Sequence, residues 1–361
     1  MRIAQVAPLY ESVPPKAYGG TERIVSYLTE ELVGRGHQVT LYASADSVTS
    51  ARLVPCAPMG LRPAGSATDA LAYHVLMLEK VFREAGNFDV IHFHVDYLHY
   101  PLSRRSRIRQ LTTLHGRLDL PELALLYREF RDMPLVSVSM AQRKPLPWAN
   151  WVGTVYHGLP CRLHSFQAKP DSYLAFVGRI SPEKRVDRAI DIAQKAGRPL
   201  KIMAKIDRVD RDYFEAEIKH LLAKPGVEFL GEGGEEDKEE LLGAALALLF
   251  PIDWPEPFGL VMIEAFSVGT PVIAFGNGSV HEVVDEGITG FVVDNVAEAA
   301  RAVDRVGGLD RARMRHVFEE RFSAKRMTDD YLALYDALQV QEAISSLKRA
   351  SRIGMLHQGG S

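Results

Sequence analysis

The sequence predicts an α/β protein made of two doubly wound parallel-sheet domains that face each other across a cleft. Three observations lead there. Short runs rich in β-branched and apolar residues alternate with amphipathic stretches, the pattern in which helices cover both faces of a parallel sheet. Two such series occur, separated by Pro160 to Asp171, a mostly polar segment with a proline at 160 and at 170. The residues able to do chemistry cluster just past the carboxyl ends of the runs, where open parallel sheets bind ligands.

In order, the first series reads Ile3 to Ala7, Gln38 to Ala43, Val90 to His94, Leu111 to Leu114, Leu135 to Val138 and Val152 to Tyr156. Between its first two runs Ile24, Val25, Leu28 and Leu32 recur at helical spacing. Ala45 to Thr68, rich in Pro, Ser and Ala, yields no strand. The second series reads Tyr173 to Val177, Leu200 to Ala204, Val227 to Leu230, Ala245 to Phe250, Val272 to Phe275 and Phe291 to Val293. Helical stretches near Ala297 to Val306, Arg311 to Glu320 and Ala324 to Leu338 close the fold. The expected division is residues 1–162, joined by a returning helix at about 324–340, and residues 163–323, with a mobile tail at 341–361.

Composition bounds the function. With 47% hydrophobic and 25% charged residues among 361, the chain is long enough for two cores. A formal net charge of −3 gives no electrostatic case for nucleic acid. The basic run Arg104, Arg105, Arg107 and Arg109 is a local patch that solvates a loop or, beside a membrane, touches anionic headgroups weakly. No apolar run reaches the roughly 20 residues that span a bilayer. Cys56 and Cys161 lack metal-ligand or redox spacing. A cytoplasmic location is expected, and the oligomeric state is not legible.

Four features carry the chemistry. The segment WPEPFGLVMIEAFSVGTPVIA, Trp254 to Ala274, places Glu256 and Glu264 around a Pro-Phe-Gly turn that opens a helix. The amides of Phe258, Gly259, Leu260 and Val261 then lie in a first turn, where they can donate to an anion or to sugar hydroxyls. Acids near a helix start also serve the dipole alone, so this segment needs support. Support comes from Gly19 and Gly20 before the first helix, and from Arg179 and Lys184 just past the run Tyr173 to Val177. Arg179 offers a planar fork to phosphate oxygens and Lys184 a point charge; the competing reading is salt bridging with Glu183 and Asp187. The glycine loop lacks the GxGxxG and GK[ST] patterns, which argues against NAD binding and ATP hydrolysis. Asp210-Arg211-Asp212 reads as an N-terminal cap of a helical stretch, Tyr213 to Leu222.

GGTE at Gly19, VGRISPEKR at Val177, EPFGLVMIEAFSVGTPVIA at Glu256 and GSVHEVVDEGITGFVV at Gly278 resemble the retaining glycosyltransferases of family 4 over nearly the whole chain. The resemblance implies a GT-B fold, two Rossmann-like domains with the acceptor held by the first and a nucleotide-sugar by the second. FHVDYLHYPL, TTLHGRLDLP, VYHGLP and FPIDWPEPFG are similar to a bacterial group that uses UDP-sugars. By position, Gly19 and Gly20 would lie at the donor diphosphate and Arg179 and Lys184 would hold its phosphates. Glu256 with Phe258, Gly259, Leu260 and Val261 would bind the transferred sugar, and Glu264 the ribose. His115 would be the active-site histidine. His281, His157 and Met203-Ala204 depart from the usual pattern, and Lys205 would also reach the cleft.

The implied reaction moves a hexose, UDP-glucose being the expected donor, to an acceptor hydroxyl with α configuration retained and without a metal or other cofactor. Two rivals stand beside it. One is a non-catalytic nucleotide-sugar-binding protein. The other is a metal-dependent hydrolase built on His92, His94 and Asp96, which share a strand face by their spacing of two, with His99 and His115 nearby.

Overall fold

The computed structural model describes residues 1–16, 19–62, 69–106 and 108–340. Arg107 and the tail 341–361, for which mobility was expected, lie outside the described residues. All thirteen strands pair in parallel, in two sheets. The first sheet has the order β3-β2-β1-β4-β5-β6-β7. Its strands are β1 (Arg2–Val6), β2 (Gln38–Ser44), β3 (Arg52–Ala57), β4 (Val90–Phe93), β5 (Gln110–Thr113), β6 (Leu135–Ser137) and β7 (Trp151–Thr154). The second sheet, β10-β9-β8-β11-β12-β13, holds β8 (Leu174–Arg179), β9 (Leu200–Lys205), β10 (Val227–Gly231), β11 (Ala247–Phe250), β12 (Val272–Phe275) and β13 (Gly290–Val293).

Every strand read from the sequence is present, and one more appears. β3 lies inside Ala45 to Thr68 and carries Pro55, which pairs opposite Ala43. A proline removes a ladder donor, so the position is tolerated because β3 is an edge strand. The irregular helical turns of residues 211–223 also differ from expectation. Asp210 does not cap them with its side chain, because its carboxylate turns to Arg179 at 3.2 Å instead.

β1 and β8 each sit where the strand order reverses, between β2 and β4 and between β9 and β11. Crossovers from such strands leave on opposite faces and open a crevice at the carboxyl ends. The helix Gly20–Gly34 follows β1 and buries Ile24, Val25, Leu28 and Leu32 completely, the face its spacing predicts. The helix Leu260–Val268 follows β11 with seven of its nine residues buried, which is why its sequence is apolar all round.

The chain passes between the sheets twice. After β7 it runs through residues 155–173, and after the helix Arg311–Arg321 it returns into a helix at 324–340. This last helix packs on the first sheet: Tyr331 bonds Thr113 on β5 at 2.9 Å, and Tyr335 bonds Gln5 on β1 at 3.2 Å and His92 on β4 at 2.8 Å. The two passages pair with each other, since Leu159 N–H donates to Phe322 O and Ala324 N–H to Leu159 O, both at 2.8 Å. One cluster of buried side chains consequently runs from Ile3 and Leu28 through Tyr331 and Phe322 to Phe258 and Phe266.

Gly158 makes that pairing possible, because a Cβ there would stand 2.2 Å from the Ser323 carbonyl oxygen. Both sides of this contact are backbone, so neither can rotate away. Gly158→Ala is expected to cost about 1–3 kcal/mol or more and to lower the urea unfolding midpoint. An unchanged midpoint would show that the crossing has slack.

Candidate functional site

A cavity of about 600 Å³ lies between the carboxyl ends of the two sheets. All eleven residues singled out from the sequence line it: Gly19, Gly20, His115, Arg179, Lys184, Glu256, Phe258, Gly259, Leu260, Val261 and Glu264. Gly20 opens its helix directly against the start of the Leu260 helix, where a Cβ would come within 3.3 Å of Leu260 Cδ1. Two helix N-termini from different domains meet there.

Gly259 caps the second of these helices in the left-handed region, φ 80°, and a Cβ would strike the Phe250 ring at 3.0 Å. The glycine is therefore required by backbone sign and by packing as well as by access to the amides. Phe258 precedes this cap rather than lying in the first turn as the sequence suggested, and its buried ring packs edge-on to His157, centroids 4.9 Å apart.

The charged groups are all engaged. Lys184 Nζ binds Glu256 Oε2, which also accepts from Trp254 Nε1 at 2.8 Å. The ammonium lies 5.4 Å from the Trp254 ring centroid and 5.6 Å from that of Phe250, so aromatic faces hold its direction. Arg179 pairs with Glu183, with Asp210 at 3.2 Å and with Asp207 at 3.8 Å. The competing reading is thus half right: Arg179 does bridge to Glu183, whereas Asp187 pairs with Arg185. Lys205, which lines the cavity, pairs with Asp207 at 3.2 Å. Glu264, 5% exposed, binds Lys238 Nζ at 2.6 Å.

His115 sits past β5 with its Nε2 2.9 Å from His94 Nδ1, and its ring stacks on His157 at 5.3 Å and 14°. Burial lowers its pKa to about 3, so the ring is neutral near pH 7. The hydrolase reading fails on the same residues. His92 and His94 do share a face, ring centroids 4.0 Å apart, but their ring nitrogens are occupied by Tyr335, Thr113, Gln5 and His115. His99 is tied to Ser103 and Thr112. Among the described residues no group of three His, Cys, Asp or Glu could hold a metal ion.

Residues 18–158 match the family model described as Glycosyltransferase Family 4, and residues 164–321 match that described as Glycosyl transferases group 1. The chain belongs to the GT-B glycosyltransferases of family 4. It is an enzyme that uses a nucleotide sugar. This glycosyltransferase is 23% identical to the O-antigen chain mannosyltransferase C of Escherichia coli, over 94% of its own length and 99% of that relative. Its fold is similar to that of AviGT4, a glycosyltransferase involved in avilamycin A biosynthesis, with a TM-score of 0.74, 23% identity and coverage of 94% and 98% of the two chains. It is similar too to Anabaena HepE in complex with UDP and glucose, TM-score 0.69, 19% identity, coverage 96% and 100%. No helix among its described residues is long and apolar enough to cross a membrane.

Several residues of the glycosyltransferase's cleft were not found from the sequence. Arg23 of the first domain binds Glu235 of the second at 2.5 Å, and Glu235 also meets His164 at 2.8 Å and Lys238 at 3.0 Å. The chain Arg23, Glu235, Lys238, Glu264 thus spans the cleft. Burial opposes the Glu235 charge, but the His164 hydrogen bond and the two cations outweigh it and hold the carboxyl down at about 2. A depressed carboxyl stabilises the fold above its unfolded value and loses that contribution as pH falls toward its folded value. The stability difference between the native chain and Glu235→Gln should be constant above about pH 5 and close between roughly pH 4.5 and 2. Urea unfolding at stepped pH checks this; a gap independent of pH would remove the electrostatic account.

Proposed function

We propose that the enzyme transfers glucose from UDP-glucose to an acceptor hydroxyl with retention of α configuration, in synthesis of a polysaccharide, glycolipid or small-molecule glycoside. The observation that carries this reading is the convergence in one cavity of two cations, two carboxylates and a helix N-terminus. Arg179 ends β8 and Lys184 lies in the turn after it, Glu256 and Glu264 flank the start of the Leu260 helix, and the first domain adds Gly20 and His115.

As the anomeric bond loosens, negative charge grows on the leaving diphosphate. Cations and helix amides fixed beforehand stabilise that charge more in the transition state than in the ground state. Arg179 and Lys184 hold the diphosphate, so the reading needs no metal. Glu264, on a rigid helix, accepts the ribose hydroxyls in exchange for Lys238, and Glu256 accepts hydroxyls of the hexose. The acceptor hydroxyl attacks from the face of the leaving group and passes its proton to a phosphate oxygen, which accounts for retention. His115, neutral, serves as a hydrogen-bonding partner for the sugar or acceptor. The choice of UDP and glucose is supported by the HepE complex, and the E. coli relative's name, a mannosyltransferase, marks the hexose as the variable part.

Titration calorimetry of metal-free protein with UDP, GDP and ADP tests the donor. UDP is expected to bind most tightly, and Arg179→Ala and Glu264→Ala each to weaken it by roughly tenfold or more, the loss of one charge-assisted hydrogen bond. Tighter binding of GDP or ADP overturns the UDP assignment, and binding of none overturns the transferase reading. The anomeric configuration of the product, read by NMR, decides retention.

A further inference from the structure

Six buried side chains and the half-buried His115 form one hydrogen-bonded string that starts at His115 and ends on the helix at 324–340. His115 Nε2 meets His94 Nδ1 at 2.9 Å, and His94 Nε2 meets Gln5 Oε1 at 2.8 Å. Gln5 Nε2 donates to the Tyr335 hydroxyl at 3.2 Å, which meets His92 Nδ1 at 2.8 Å. His92 Nε2 then meets Thr113 Oγ1 at 2.7 Å, and Thr113 meets the Tyr331 hydroxyl at 2.9 Å. His92, Gln5, Tyr331 and Tyr335 are each 0% exposed. Solvent does not reach these four side chains.

The string has a direction, and Gln5 sets it. An amide oxygen only accepts, so His94 must donate from Nε2. Burial keeps the imidazoles of His92, His94 and His115 neutral, and a neutral ring has one donor and one acceptor nitrogen. His94 Nδ1 is then the acceptor and His115 Nε2 the donor. What remains on His115 is Nδ1, a buried atom with no hydrogen-bond partner among the described residues, on a side chain that lines the cavity. On the other side, the Gln5 NH₂ group needs an acceptor, and the Tyr335 hydroxyl supplies it while donating its own proton to His92 Nδ1. Reversing the Gln5 amide would reverse every bond in the string and put the proton on His115 Nδ1.

The geometry points to Gln5 and Tyr335 as positioning residues that hold His115 in its Nε2–H tautomer, leaving the Nδ1 lone pair to accept a hydrogen bond from a substrate hydroxyl. The tautomer stands on the string alone; the contact with substrate rests on the transfer reaction proposed above. The returning helix at 324–340 therefore does more than cover the first sheet. It carries the hydroxyl that holds the Gln5 amide, and so the polarity of a histidine reached through two intervening side chains, Gln5 and His94.

The test is a long-range ¹H–¹⁵N spectrum of the full chain with labelled imidazoles, at neutral pH and without substrate, His115 being assigned by its loss in His115→Gln. The expected result is a protonated-type Nε2 and a bare-type Nδ1. Gln5→Met, close in shape but without an amide, and Tyr335→Phe, which deletes one oxygen, should each let the His115 signals move toward a mixture of tautomers. Gln5→Glu keeps an acceptor facing His94 and should keep the tautomer. In Gln5→Met and Tyr335→Phe, kcat should fall roughly tenfold, the usual scale for losing a group that orients a site histidine, with KM for the donor unchanged. A native His115 protonated on Nδ1 overturns the proposal, and so does a tautomer unmoved in both variants. Failure of nucleotide binding would strike only the transfer reading, since the tautomer is read in the resting protein.

Discussion

The two passages of the chain between the sheets are irregular backbone held inside the molecule, and such backbone must find partners for every N–H and C=O. It finds them largely in itself, through the reciprocal bonds between Leu159 and residues 322 and 324, and in three arginines. Arg326 donates to the carbonyls of Tyr156 and His157 at 2.7 and 3.0 Å, Arg315 to that of His164 at 3.0 Å, and Arg311 to those of Gln167, Ala245 and Gly243. Arginine suits the task because one planar head reaches several oxygens and keeps its charge. Once the passages are tied, Tyr331 and Tyr335 are brought over the first sheet and His157 is brought beside His115. Glu282 adds a second tie, accepting from the amides of Met140 and Ala141 at 2.7 Å and from Tyr156 at 3.0 Å.

Within the cleft so fixed, the resting protein compensates each strong charge with one of its own. Lys184 rests on Glu256, Lys238 on Glu264 and Glu235, and Arg179 among Glu183, Asp207 and Asp210. Isolated charges in such a recess would be costly, and the pairing offsets that cost. On the proposed reading, a diphosphate entering near Arg179 and Lys184 would replace carboxylates as their partner, and the freed carboxylates would accept from hydroxyls. The ligand that fits is consequently one carrying both an anion and polyol groups. A simple phosphate would release the acids with nothing to bind them.

The fold was legible in the sequence because parallel strands buried on both faces are continuous apolar runs, and twelve of them stand out against polar connections. β3 did not, since an edge strand needs little burial and admits Pro55. The local half of the site was equally legible. Glu256, Gly259 and Glu264 lie within nine residues, and a helix start dictates where their groups point. The distant half was not. Gln5, Arg23, Glu235 and Lys238 act through partners tens to hundreds of residues away, and Lys238 sits in an acidic run, EEDKEE, that reads as a solvated helix face. Asp210 reads as a cap for the same reason, a cap being the local explanation for a carboxylate whose partner, Arg179, lies at the end of β8.

The division of labour between the domains follows from these contacts. The second domain supplies the cations, the carboxylates and the helix amides that the proposed reading directs at the nucleotide-sugar. The first domain adds Gly20 and the neutral imidazole of His115. On the proposed reading a neutral ring belongs here, because the charge that develops would fall on the diphosphate, faced by Arg179 and Lys184. A protonated His115 would add a further cation in a recess lined by His94 and His157, both also neutral by burial. Keeping the ring uncharged makes it a directional hydrogen-bonding group instead of a diffuse electrostatic one, and direction is what distinguishes one hydroxyl of a hexose from its neighbour. The stereochemical discrimination of this glycosyltransferase would then depend on the string of buried bonds behind His115 as much as on the residues that touch the sugar.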